Sequence, residues 1–272
     1  MESVGILKKV EFSHWPTPLV PVPKRDGSFR ICVDFKVTLN PALEIDQHPI
    51  PKPEDIFASL AGGESYTTLD LSQAYKQLLL DEEPSELVTV NTHLELYRYS
   101  RLPFGVAFAP SIFQRTMNQL LNGLTGVRCY LDDIIITGKS TEEHLNLQSQ
   151  VLERLQDKGF RLRKDKCHFL QTLVEYLGHV IDTDGLHTTP TKQQVIAEAR
   201  APTNISELHS FLGLVNYYGR FLPNVSTMLH PLNCLLWKRA VWVWFKKCEE
   251  AFQAIKGMLS SDQVLFHYDP RG

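Results

Sequence analysis

Three carboxylates stand where a folded chain could bring acids to one point. Asp70 ends a β-prone run from Tyr66 to Leu71, and Asp132-Asp133 lie between the β-prone runs Val127-Arg128-Cys129-Tyr130 and Ile134-Ile135-Ile136. An uninterrupted strand has no use for two adjacent charges, so the pair marks the tip of a hairpin. Carboxylates on the ends of separate strands suit magnesium, a hard cation that takes oxygen ligands and usually combines one or two carboxylates with substrate phosphates. Two such ions, about 3.5–4 Å apart, can activate a hydroxyl nucleophile and stabilise a leaving oxygen. Successive strand residues face opposite ways, so Asp132 and Asp133 are expected to be inequivalent, one coordinating directly and the other secondary. Taken alone, Asp-Asp also reads as turn chemistry.

The elements that must position these acids are legible in outline. Residues 14 to 53 are rich in proline, which disfavours long helices, while PLVPV and FRICVDF read as strands of a hairpin whose turn is Lys24-Arg25-Asp26-Gly27. A helix is expected over Pro110 to Leu121. Ser140 with Glu143 forms a capping-box signature and Gly159 suits a helix stop, which predicts a helix over about 140–158. A strand pair follows at Leu173 to Ile181, and beyond Asp184-Gly185 the texture becomes helical. Pro190 opens one helix, Ser206 is the expected cap of a second that Pro223 ends, and a last one covers Cys248 to Leu259. The expected organisation is an α+β body over 1–185 and a smaller helical piece over 186–272.

Composition bounds the rest. With 272 residues, 43% hydrophobic and 22% charged, the chain can bury a real core, and no apolar run is long enough to span a bilayer, so no membrane partner is expected. Five cysteines, with no C-x-x-C pair, and no recognisable signal peptide at the N-terminus favour a reducing intracellular compartment. The net charge of -3 does not itself suggest a polyanionic partner, but positive residues cluster at Lys8-Lys9, at Lys24, Arg25, Arg30 and Lys36, and most densely at Arg161, Arg163, Lys164 and Lys166. Such clusters also occur as solvated faces. His168, His179 and His187 near Cys167 lack paired zinc-ligand spacing. Trp237, Trp242 and Trp244 beside Lys238, Arg239, Lys246 and Lys247 suit either helix packing or a stacking surface for nucleic acid.

Several ordered strings resemble one family. Tyr130-Leu131-Asp132-Asp133 resembles the Y-x-D-D box of reverse transcriptases, and Leu69 to Tyr75 resembles the segment carrying their first catalytic aspartate. Arg101-Leu102-Pro103-Phe104-Gly105 with Ala109 to Gln114 is similar to the family's template and nucleotide platform, and Tyr176-Leu177-Gly178-His179 to its primer grip. Phe211 to Leu214 and Tyr217 to Phe221 resemble the stretch after the polymerase in gypsy-like long-terminal-repeat retrotransposons.

The resemblance implies a right-hand polymerase fold, fingers and palm followed by thumb and connector, that extends a primer with dNTPs on an RNA or DNA template. It implies two magnesium ions, or manganese, on Asp70 and Asp132 with Asp133 in support. Lys24 and Arg30 would hold the triphosphate. Leu71, Ser72, Gln73, Ala74, Tyr75 and Phe104 would form the nucleotide site, with Tyr75 excluding a 2′-hydroxyl. Tyr130, Leu177, Gly178 and His179 would meet template and primer. Lys166 would protonate pyrophosphate, with Lys164 the competing cation. Phe104 stands where retroviral enzymes have glutamine, which supports the gypsy-like branch. The resemblance also implies truncated fingers, a connector at Val264 to Pro270, and a ribonuclease H core absent from the chain. Replication in a cytoplasmic virus-like particle is implied as well; the oligomeric state is not. A non-catalytic nucleic-acid-binding remnant and a ribonuclease H are the competing readings.

Overall fold

A computed structural model describes residues 2, 5–23, 27, 29–43, 48–219, 224–238 and 241–260. Its elements in chain order are β1 (Leu7–Val10), β2 (Pro16–Pro23), β3 (Phe29–Val33), α1 (Pro53–Ser59), β4 (Ser65–Asp70), α2 (Glu82–Leu87), β5 (Thr89–Asn91), β6 (Leu96–Tyr99), α3 (Ala109–Leu120), β7 (Val127–Tyr130), β8 (Asp133–Gly138), α4 (Thr141–Asp157), β9 (His168–Gln171), β10 (Val174–Tyr176), β11 (His179–Ile181), β12 (Leu186–Thr188), α5 (Pro190–Glu198), α6 (Ile205–Gly219), α7 (Val225–Cys234) and α8 (Lys246–Ser260). The strands form a five-stranded sheet in the order β1-β6-β5-β2-β3, a four-stranded sheet β7-β8-β4-β9 and a three-stranded sheet β10-β11-β12.

The proline-rich β2 persists as a strand because no stretch of it has partners on both sides. Residues 16–18 pair with β5 and residues 19–23 with β3, so each proline forgoes a donor that the ladder does not need. The described chain packs as two compact units, one of residues 1–56, 67–136 and 145–169, the other of 57–66, 137–144 and 170–272. The last strand, β12, ends at Thr188, and from Pro190 onward the described elements are helices.

Within the first unit, one core joins Leu69, Leu71, Phe113, Met117, Ile134, Ile136, Val151 and Leu155. A second joins Phe35, Leu39, Val88, Val90, Tyr99, Leu102 and Val106. Phe113 is fully buried, and a side chain of this kind contributes roughly 1.5–3 kcal/mol by leaving water. Gly159, with φ of +72°, ends α4 as expected: the Phe160 amide donates to the Leu155 carbonyl at 2.8 Å, a Schellman closure.

The second unit has a helical core of Ile196, Leu208, Leu212, Val215, Leu229, Phe252, Ile255 and Leu259. Trp242 and Trp244 pack against it, and the Trp244 indole donates to Glu249 at 2.7 Å. Trp237 is exposed. The cap of α6 is Asn204 rather than Ser206: Asn204 Oδ1 accepts the Glu207 amide at 2.9 Å, and the Glu207 carboxylate reaches back to the Thr203 amide at 2.8 Å. Asparagine caps as well as serine does, so the box simply starts two residues earlier. At the start of α4, Ser140 Oγ accepts the Glu143 amide at 3.2 Å and Glu143 accepts the Lys139 amide at 2.9 Å. Pro223 and the Val264 to Pro270 segment lie outside the described residues. Among the described residues no helix is long and apolar enough to cross a membrane.

The end of β8 is tightly seated. A Cβ on Gly138 would fall 2.7 Å from the His144 amide nitrogen and 2.8 Å from its Cα, atoms that no rotamer change can move. Gly138→Ala is therefore expected to destabilise the protein by about 1–3 kcal/mol, read as a lower midpoint in denaturant unfolding.

Candidate active site

The two aspartate-bearing segments are fastened together by backbone. β7 and β8 pair from Val127↔Ile136 to Tyr130↔Asp133, which leaves Leu131 and Asp132 as the turn. The Leu71 amide, just past the end of β4, donates to the Asp132 carbonyl at 3.2 Å. On its other side the segment carries the Arg161–Arg163 stretch: the Ser72 amide donates to the Arg161 carbonyl and the Arg163 amide to the Asp70 carbonyl, both at 2.9 Å. Gln77 locks this junction, its amide group donating to the carbonyls of Ser72 (2.7 Å) and Arg161 (3.0 Å) and its Oε1 accepting the Arg161 amide (2.6 Å).

The catalytic-turn candidate is strained. Leu131 has φ of +54°, a conformation an L-residue other than glycine or asparagine seldom adopts. A fully buried side chain holds it there. Gln114 Oε1 accepts the Leu131 amide at 2.8 Å and Gln114 Nε2 donates to the Cys129 carbonyl at 2.9 Å, so one carboxamide spans the turn. The Cys129 thiol adds a contact to the Leu131 carbonyl at 3.0 Å, and burial together with Asp133 and Asp132 holds that thiol well above its usual range.

A pocket of about 490 Å³ opens on this junction, within the roughly 300–1,000 Å³ range of small-molecule sites. Asp70, Leu71, Gln73, Ala74, Phe104, Asp132 and Lys166 line it, together with Lys76, Arg163 and Gly105. Asp70 faces two cations, with Oδ1 3.7 Å from Arg163 Nε and Oδ2 3.6 Å from Lys166 Nζ. These pairs are loose and partly exposed, and such pairs contribute little and yield readily to a competing charge. Lys164, the competing cation, makes no ion pair among those described. Burial lowers the Lys76 pKa.

The adjacent carboxylates differ. Asp132 lines the pocket, whereas burial, with Asp132 and Asp70 adding to it and Lys166 opposing, pushes Asp133 up to about 6. A divalent cation would relieve that crowding of negative charge, and Asp70 and Asp132 offer the hard oxygens it takes. Among the described residues no three His, Cys, Asp or Glu side chains form a ready-made cage.

Other expected site residues fall as follows. Tyr75 packs edge-on behind Phe104, ring centroids 4.6 Å apart, and against Phe113 at 5.2 Å; burial, then Asp132 and Tyr130, push its hydroxyl up to about 12. Phe104 keeps 49% of its surface exposed. Tyr130 pairs with Asp133 across the hairpin. Leu177, Gly178 and His179 form a separate locus within the second unit, at the β10–β11 turn. Lys24 and the side chain of Arg30 lie outside the described residues. Sequence reasoning did not assign Arg163 to Asp70 or Lys76 and Gln77 to the site, and it placed Gln114 only in the platform segment, without its hold on the Leu131 turn. Gln114 alone carried a signal, an amide on the face that carries Phe113 and Met117.

Residues 22–181 match the family model described as reverse transcriptase (RNA-dependent DNA polymerase). The Retrovirus-related Pol polyprotein from transposon 297 of Drosophila melanogaster is 36% identical over 255 residues, which is 92% of this chain and 24% of that protein. The chain spans only 18% to 24% of the curated relatives it matches. The foamy viral protease-reverse transcriptase solved in complex with double-stranded DNA superposes with a TM-score of 0.88 at 25% identity, over 99% of this chain and 48% of that one. Its counterpart with an RNA/DNA hybrid gives 0.82 at 26% identity, over 97% and 36%. The fold is thus the polymerase fold of reverse transcriptases, α+β as expected.

Two outcomes are expected from this geometry. Gln114→Leu orphans the Leu131 amide and the Cys129 carbonyl and costs about 2–4 kcal/mol in denaturant unfolding, whereas Asn118→Ala, which removes Gln114's outer partner and an exposed contact to His48, costs less than about 1.5 kcal/mol. Because the folded Asp133 binds its proton more tightly than an unfolded aspartate, stability with divalent cations chelated falls as pH rises from about 4 to about 6. Asp133→Asn is expected to remove that fall and to raise the melting temperature at pH 7.5, both read by thermal unfolding.

Proposed function

We propose, for a chain that belongs to the reverse transcriptase (RNA-dependent DNA polymerase) family, that it extends a primer 3′-hydroxyl with deoxynucleoside triphosphates on an RNA or DNA template. The observation that carries this reading is the meeting of Asp70 and Asp132 at one pocket, with Lys166 and Arg163 facing the same carboxylate.

Asp70 and Asp132 would hold two magnesium ions, or manganese, with Asp133 supporting through charge. Bound there, the ions supply activation of the primer hydroxyl and neutralisation of the leaving pyrophosphate. The chain's own groups do the rest. Lys166 and Arg163, held loosely by Asp70, would turn from carboxylate to phosphate as a nucleotide enters, and the Lys166 ammonium would give a proton to pyrophosphate. Lys24 and Arg30 would hold the triphosphate from the β2–β3 hairpin. Leu71, Gln73 and Ala74 would form the floor, with Ser72 anchoring it through its amide to Arg161, and Tyr75, braced by Phe113, would back the exposed Phe104 ring and make the sugar face rigid enough to reject a 2′-hydroxyl by contact. Tyr130 and the Leu177–His179 turn would meet template and primer, where phosphate neutralisation supplies most of the affinity and an A-form groove admits RNA. In this reading 1–185 are fingers and palm, 186–272 are thumb and connector, and the setting is a cytoplasmic particle.

The test is extension of oligo-dT on poly-rA with dTTP and magnesium. Wild-type protein is expected to extend the primer, chelation to abolish extension, and Asp132→Asn to lower it by about 10³-fold or more without altering the circular dichroism spectrum. A folded, primer-binding wild-type protein that does not extend would instead be a non-catalytic binding module.

A further inference from the structure

The β10–β11 hairpin closes on a two-residue turn, Tyr176 pairing with His179 across Leu177 and Gly178. Both turn residues have positive φ, +46° and +69°, as a type I′ turn demands. That turn favours Asn-Gly; leucine in its first position is a misfit that must be held from outside.

Two neighbouring residues of α6 do the holding. The Tyr217 hydroxyl donates to the Leu177 carbonyl at 2.6 Å, and the Tyr218 hydroxyl, which also engages Thr189, donates to the Gly178 carbonyl at 3.1 Å. The fit leaves no slack: a Cβ on Gly178 would lie 2.9 Å from the Tyr217 hydroxyl oxygen. His179 fixes the rings. Tyr217 stacks on its imidazole at 5.1 Å and 25°, Tyr218 meets it edge-on at 5.1 Å and 66°, and its Nδ1 donates to the same Leu177 carbonyl at 2.9 Å.

We infer that Tyr217 and Tyr218 are positioning residues for primer–template binding, their hydroxyls holding the Leu177–Gly178 turn in the one shape that can dock on the duplex. This rests on the reading that the Leu177–His179 turn grips the primer. A turn fixed before the duplex arrives loses little freedom on binding, and that saving appears as affinity.

The experiment measures binding of a fluorescent primer–template by anisotropy, in whole chains carrying Tyr217→Phe with Tyr218→Phe, which keep both rings, or Gly178→Ala. Thermal unfolding and the KM for dTTP at saturating duplex are read alongside. The tyrosine pair is expected to weaken duplex binding roughly tenfold, the size of two lost hydrogen bonds, while leaving the KM for dTTP unchanged. Leu177→Asn with both tyrosines kept sets the reference for any contact the leucine itself makes, and adding Leu177→Asn, which suits the turn without a clamp, to the tyrosine pair is expected to bring binding to that reference; a merely structural role for the tyrosines would not be rescued this way. Weakened binding in Gly178→Ala with none in the folded tyrosine pair overturns the clamp and leaves the grip standing. No weakening in either overturns the grip and the clamp with it. Binding by the triple variant that stays below that of Leu177→Asn alone overturns the clamp, since the hydroxyls would then act on something other than the turn.

Discussion

The active-site candidate depends on one buried carboxamide. Hairpins do not naturally end in Leu-Asp, and a leucine at positive φ carries a conformational cost of about 1–2 kcal/mol that the turn cannot recover from its own contacts. Gln114 recovers it by giving the Leu131 amide and the Cys129 carbonyl partners that face each other across the turn. The Leu71 amide then ties the second turn residue to the end of β4. With both fastenings in place, Asp70 and Asp132 have almost no freedom to separate, although nothing attracts two carboxylates to each other.

That repulsion is the second constraint. Asp70, Asp132 and Asp133 crowd one region, and the folded protein answers with Lys166 and Arg163 at distances too long for good hydrogen bonds and with an Asp133 that clings to its proton. A protein built only for stability would shorten those pairs or remove a carboxylate. In the proposed reading, keeping them loose would leave charge for a cation and a polyphosphate to satisfy, the form that electrostatic stabilisation at an active site takes. The chain's net charge of -3 is therefore a poor guide to its chemistry, because the relevant charges lie within one pocket.

What could be read from the sequence was local. The Tyr130-Leu131-Asp132-Asp133 hairpin, the α4 capping box with its Gly159 stop, and the strand ending at Asp70 are encoded within a few residues each, by period, turn chemistry and caps. Asn204 displacing Ser206 as the α6 cap shows the limit even there, since two good capping residues two positions apart cannot be ranked without the backbone. The partners that make a site from these pieces lie far along the chain. Arg163 meets Asp70 because a bridge joins Leu71 to Leu162, and Gln77 reaches Arg161 across 84 residues; no local pattern announces either. Gln114 was visible as a polar residue on the apolar face of its helix, but its purpose required knowing which turn the helix faces.

The same logic links the two turns to which function is proposed. At Leu131 and at Leu177 a leucine occupies a conformation that glycine or asparagine would accept without strain, and in each case a side chain from a helix, Gln114 or Tyr217, bonds the backbone of that leucine. Glycine would make each turn easier to form and also easier to deform. A leucine held by an outside hydrogen bond has few alternative shapes, because once the bond is made the side chain's own sterics forbid most others. Local propensity and native structure disagree at these two points, and disagreement that the surroundings over-determine is where function is to be sought. The strain is what converts a flexible hairpin tip into a fixed one.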